Sequence, residues 1–79
     1  MPSWLKCKIA KGMFSDEYTV TVRTRSGENV AVFVPKYYAQ EDNSRVKVQV
    51  SEDSGRAIAV LPDANQSVID VDSSELMPA

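Results

Sequence analysis

YTVTVRTRSGENVAVFV, residues 18–34, decides the fold class. Tyr18, Val20 and Val22 alternate with Thr19, Thr21 and Arg23, and after a polar break Val30, Val32 and Val34 resume the alternation. A period of two sends alternate side chains to opposite faces of an extended chain, and β-branched residues suit that pleated surface. Two such runs joined through a Ser-Gly pair read as a β-hairpin. If Val22 faces Val30, Thr24 pairs with Glu28 and Arg25-Ser26-Gly27 is a three-residue loop. Gly27 then takes the left-handed position, where a Cβ would clash.

The same grammar returns further along. Val46, Val48 and Val50 alternate with Lys47 and Gln49, a second Ser-Gly pair follows, and Ile58 and Val60 come next. The register of the first hairpin sets Val50 opposite Ile58 and Glu52 opposite Arg56, a favourable cross-strand charge pair around Asp53-Ser54-Gly55. Gly55 is then left-handed too. The segments align at an offset of 28 residues, as in Val20/Val48, Gly27/Gly55 and Val32/Val60. An internal duplication and the convergence of two hairpins on one turn type both account for this, but the closing prolines, Pro35 and Pro62, break the alignment by one position.

Outward from the hairpins, Leu5, Cys7 and Ile9 alternate with Lys6 and Lys8, and Ile69 and Val71 alternate with Asp70. Eleven valines stand against three leucines, and no stretch has room for a helix of ordinary length. Pro35 opens a single turn through Lys36, Tyr37, Tyr38 and Ala39, ended by Asn43 and Ser44. Asp72 to Leu76 forms another, capped by Asp72 or Ser73, with Leu76 folded back as a plug. The expectation is an all-β fold, a small antiparallel barrel or roll of five to six short strands, SH3-like first and OB-like second. Residues 1–79 form one such domain.

The run from Val30 to Lys36, then Arg45 to Val50 and the Gly55-Arg56 pair before an apolar strand, resembles the second half of an S1-type OB domain. That likeness covers less than half of the chain and implies RNA binding through strands two and three and their loops. The strand through Ile69 and Val71 lies beyond the point where such a repeat ends. Asp72 to Leu76 resembles the last turn of an SH3-like barrel.

Composition narrows the chemistry. The single cysteine, Cys7, cannot form an internal disulfide, and with no histidine the usual zinc ligand sets and base-assisted nucleophiles lose their main member. Gly12, Gly27 and Gly55 are isolated, so no glycine-rich loop can cradle phosphate. Asp70 and Asp72 are the only paired carboxylates on one strand face, read as solvated surface. No cofactor, metal or catalysis is expected. Cys7 reads as a small buried hydrophobe, although Lys6 and Lys8 flank it. The start lacks a charged segment followed by an apolar one, and no apolar run reaches the roughly 20 residues needed to span a bilayer. The expected location is cytoplasmic.

Charge is unevenly distributed. Residues 1–50 hold eight basic and five acidic side chains, for +3, whereas residues 51–79 hold one and six, for −5. Lys6, Lys8, Arg23, Arg45 and Lys47, with Trp4, Tyr37 and Tyr38, form a candidate face for RNA or single-stranded DNA, on which bases stack while cations track phosphates. The sequence pI of about 4.9 weighs against that reading. Ala31, Phe33, Ala59 and Leu61 fall on the expected outer face and form a candidate protein interface, or a homodimer contact, unless Met13, Phe14 and Tyr38 cover them. The leading reading is a non-catalytic interaction module that binds a protein partner or itself. The alternative is a weak nucleic-acid-binding domain of OB/S1-like type.

Overall fold

The computed structural model describes residues 2–78. β1 (Pro2–Lys6) and β2 (Lys8–Lys11) are one extended run bent at Cys7, and the bend passes the chain from one sheet to another. β3 (Glu17–Arg23) and β4 (Asn29–Pro35) complete the second sheet, in the order β2-β3-β4. After a short connection containing β5 (Ala39–Gln40), the chain returns through β6 (Arg45–Asp53), β7 (Arg56–Val60), β8 (Val68–Val71) and β9 (Leu76–Pro78). These join β1 in the order β8-β7-β6-β1-β9, with β5 beside the start of β6. All pairings are antiparallel.

The fold is all-β, but neither sheet closes into a barrel. Closure needs the outer strands of one sheet to pair with those of the other. β4 and β8 end their sheets, and among the described residues only the Arg25 N–H, which donates to the Asp70 carbonyl at 2.9 Å, bridges the backbone toward β8. At the opposite corner the Cys7 N–H donates to the Ser44 carbonyl at 2.9 Å and holds the bend.

The inner faces of the two sheets meet in one core. Leu5, Val46, Val48, Leu61 and Val71 come from the first sheet and its margin, and Val20, Val22 and Val34 from the second; all are essentially fully buried. Ala57, Ala59 and Ile69 fill the space between them, and Cys7 is buried at the bend.

The first hairpin has the expected register, with Val22 opposite Val30. The Thr24 N–H donates to the Glu28 carbonyl at 2.8 Å, the Gly27 N–H donates back to the Thr24 carbonyl at 2.9 Å, and Gly27 has φ 92°. The second hairpin departs from expectation. Val50 lies opposite Ala59, Glu52 opposite Ala57 and Arg56 opposite Asp53, so the loop is the two residues Ser54 and Gly55, with φ 52° and 79°. Positive φ at both positions is the signature of a type I′ turn, whose twist matches that of the strands it joins. A loop shorter by one residue turns β7 over. Ala57, Ala59 and Leu61 therefore face the core, while Ile58 and Val60 face outward and are half-buried. The expected Glu52–Arg56 cross-strand pair does not form in this register.

Both expected short turns are present as single 3₁₀ turns, and the first is followed by a second. Lys36–Tyr38 follows Pro35, Glu41–Asn43 ends on Ser44 in the left-handed region, and Ser73–Glu75 is capped by Asp72, whose carboxylate accepts from the Ser74 N–H at 3.0 Å. Leu76 folds back against the core and opens β9, which pairs with β1 from Ser3 to Leu5.

Candidate interaction surface

The flipped β7 removes half of the expected apolar patch. Ala59 and Leu61 are 0% and 1% exposed, so they are core residues and not contact residues. Ala31 and Phe33 do lie on the outer face of the second sheet, Phe33 at 48% exposure. Their cross-strand neighbours are Thr21 and Thr19, and beyond Thr19 stands Ala10, so Phe33 rises from a surface of small side chains. Met13 and Phe14, expected as a possible cover, are themselves exposed at 74% and 65%.

Phe33 also stands on an open strand edge. The other edges are short or guarded: β2 has four residues with Lys8 and Lys11 at its ends, β9 has three and ends in Pro78, and β8 is engaged by Arg25. Short strands, lysines and prolines are the usual protection against edge-to-edge pairing. β4 is seven residues long, carries no charge, and has only Pro35 at its end. Two hydrogen bonds fix which of its backbone groups are free. Thr24 N–H to Glu28 O and Lys36 N–H to Asp16 O belong to one ladder, so Val30, Val32 and Val34 bond toward β3 in the alternating antiparallel pattern. The N–H and C=O groups of Ala31 and Phe33 then point away from the sheet, and no described residue meets them.

The basic and aromatic residues divide into two groups. On the outer face of the first sheet, Trp4 lies opposite Lys47 and Lys6 opposite Arg45, so these two strands are neighbours. Arg45 lies over the Trp4 ring, 4.6 Å from its centre, and its Nε donates to Gln40 Oε1 at 2.7 Å. One face of that ring is already covered. Lys8 and Arg23 belong to the second sheet and share with Lys6 a surface groove of about 520 Å³, which Glu75 also borders. Tyr38 borders a separate groove of about 430 Å³ with Lys47 and Gln49, and its ring lies 4.4 Å from that of Tyr37.

Asp70 and Asp72 do not form a working pair. Asp70 is exposed on β8 and its backbone carbonyl holds Arg25, while Asp72 lies past the strand as a turn cap. Hydrogen bonds from the Ser74 backbone N–H and hydroxyl hold the Asp72 carboxyl below the usual carboxylate range. Burial pushes the Cys7 thiol up to about 11, which opposes thiolate formation despite the flanking lysines. Among the described residues no three acidic, cysteine or histidine side chains come together as metal ligands. Among the described residues no helix is long and apolar enough to cross a membrane.

Comparison of the chain with protein-family models, with curated proteins and with solved structures finds no match. The surface must be interpreted from its own geometry. Alternation along β4 places Phe33 on the outer face, as the structure has it, but does not reveal the open edge beside it. Val30 to Val34 is an uncharged run bounded by Pro35, and nothing in it marks an edge, because sheet order decides that.

Proposed function

We propose that this protein is a non-catalytic interaction module whose contact surface is the outer edge of β4 together with Phe33. The supporting observation is that β4 is the one long edge strand among the described residues that lacks a charge, a bulge or a cover. An extended segment of a protein partner can add there as a further strand, taking hydrogen bonds from Ala31 and Phe33 and packing a side chain beside the Phe33 ring. The third 3₁₀ turn leading into a closing strand supports an SH3-like reading of the topology over an OB-like one. The test is to titrate a labelled protein with an extended peptide of sequence ENVAVFVPK and follow amide resonances. Shifts concentrated on residues 29–35 are expected, and an unchanged spectrum at millimolar peptide refutes the reading.

Nucleic-acid binding is the second reading, favoured by the pairing that gathers Trp4, Lys6, Arg45 and Lys47 on one face. Its weakness is that Trp4 and Arg45 already occupy each other. Anisotropy with a labelled oligonucleotide at two salt concentrations separates the two readings. Binding that falls steeply with salt supports the nucleic-acid reading, because phosphate contacts release counterions.

A further inference from the structure

We infer that the strand that adds to β4 is the β4 of a second copy, in a two-fold antiparallel pairing centred on Val32. This rests on the reading of β4 as the contact edge and commits it to one partner. The backbone restricts the register. Only outward-pointing residues can exchange hydrogen bonds, so Asn29, Ala31, Phe33 and Pro35 must pair among themselves, which leaves three symmetric alignments with substantial overlap.

Side chains select among them. Centring on Ala31 sets Glu28 against the apolar Val34 of the second copy. Centring on Phe33 places two large rings directly opposite and spends more of the outward positions on Pro35, which has no N–H. Centring on Val32 sets each Phe33 opposite the small Ala31 of the other copy and each Glu28 opposite the other Lys36, a charge-complementary pair at both ends. It also allows up to about six inter-strand hydrogen bonds, two pairs through Ala31 and Phe33 and one bond at each Asn29 N–H.

Partial burial along the edge agrees with this. Val30, Val32 and Val34 all face inward, yet only Val34 is fully buried, while Val30 and Val32 remain half-buried. Two inward-facing valines on an uncovered edge lack a neighbour, and in the Val32-centred pairing the second copy places Val34 and Val32 beside them. The two cores then join along one six-stranded sheet. The contact is a single strand per copy, which puts it in the small, transient class of interfaces.

Sedimentation equilibrium from about 5 to about 500 µM tests the pairing. The average mass is expected to rise from the 8.7 kDa of the monomer toward twice that value. Ala31→Pro removes an outward N–H without touching the β3 ladder, and it is expected to stay monomeric at every concentration with an unchanged circular dichroism spectrum. Ala31→Lys, which keeps the N–H but places like charge at the edge, is expected to weaken dimerisation at least tenfold and guards against a folding defect in the proline variant. Register is read from single-cysteine variants in a Cys7→Ala background under a mild added oxidant. Val32→Cys is expected to form the disulfide-linked dimer, because its symmetric partner lies directly opposite in a closely spaced pair. Faster cross-linking of Phe33→Cys or Ala31→Cys overturns the register. A strictly monomeric mass at the highest concentration overturns the dimer, and if the ENVAVFVPK peptide still shifts the β4 amides, the wider reading of β4 as a contact edge survives it.

Discussion

Replacing Leu61 with alanine tests the two-residue loop of the second hairpin most directly. In the observed register Leu61 is 1% exposed and packs in the core; with the longer loop suggested by the first hairpin it would lie outside. Truncating a fully buried leucine costs about 2–5 kcal/mol, the lost transfer energy plus the cavity left behind. A domain of 79 residues has a total stability of about 4–12 kcal/mol, so this loss is a large share of it. At a urea dependence of about 1 kcal/mol per molar, the midpoint falls by about 2 M or more, or the variant is unfolded in water. Trp4 is the single tryptophan, and its fluorescence together with far-ultraviolet circular dichroism reports the transition. Ile58→Ala is the internal control. Ile58 is half-buried on the outer face opposite Ser51 and Asp70, so its truncation is expected to cost less than about 1 kcal/mol. If Ile58→Ala proves the more damaging of the two, the register is wrong and β7 presents its other face to the core.

The remaining predictions concern turns and titrating groups. Gly27→Val and Gly55→Val are each expected to lower stability by more than about 1 kcal/mol, since both positions are left-handed; unchanged midpoints would remove the turn assignment. Gly12→Ala is expected to cost more than Gly55→Ala, because a Cβ at position 12 would lie 2.5 Å from the Glu17 carbonyl oxygen, whereas at position 55 nothing lies within 4 Å. Cys7 should alkylate at least about tenfold more slowly in native protein than in urea. Its thiol is raised from 9.0 to about 11, so the folded state holds that proton more tightly, and stability should fall as pH rises from about 9 toward 11, a decline absent in Cys7→Ala. Asp72 has the opposite sign. Its lowered carboxyl stabilises the fold above the ordinary carboxylate pKa of about 3.9, and that contribution fades as pH falls toward the lower folded value. The midpoint difference between wild type and Asp72→Asn should therefore be present at neutral pH and vanish in acid.

The first hairpin was legible in full, because alternation, loop length and Gly27 all pointed to one register. The second was not, since Ser54-Gly55 suits a two-residue loop as well as the end of a three-residue one. Side-chain bulk then favoured the wrong face: Ile58 and Val60 outrank Ala57 and Ala59 in hydrophobicity, yet turn geometry decides which set faces inward. The prolines did carry the answer. With the loop one residue shorter the offset beyond the turn becomes 27, and Val34/Leu61 and Pro35/Pro62 fall into line. β5 and β9 were invisible because two or three residues hold no period; they are strands only through their pairing with β6 and β1. For the contact surface, Ala31 and Phe33 could be placed on an outer face from alternation alone. That β4 has no outer neighbour is a property of sheet order, and no local pattern encodes it. Of the basic residues grouped by charge, Lys6, Arg45 and Lys47 lie on the neighbouring β1 and β6, whereas Lys8 and Arg23 belong to the other sheet, and the mutual cover of Trp4 and Arg45 depends on side-chain conformation.

The bend at Cys7 also bears on how the chain is made. β2, β3 and β4 find one another within residues 8–35, so that half can form while synthesis is still under way. β1 precedes them in the chain, yet it must wait for residues 45–49 and then for residues 76–78 before both of its edges are paired. Such distant pairing slows folding. A growing chain therefore carries an unpaired β1 until residues 45–49 have been added, with β4 and its open edge more than twenty residues behind it.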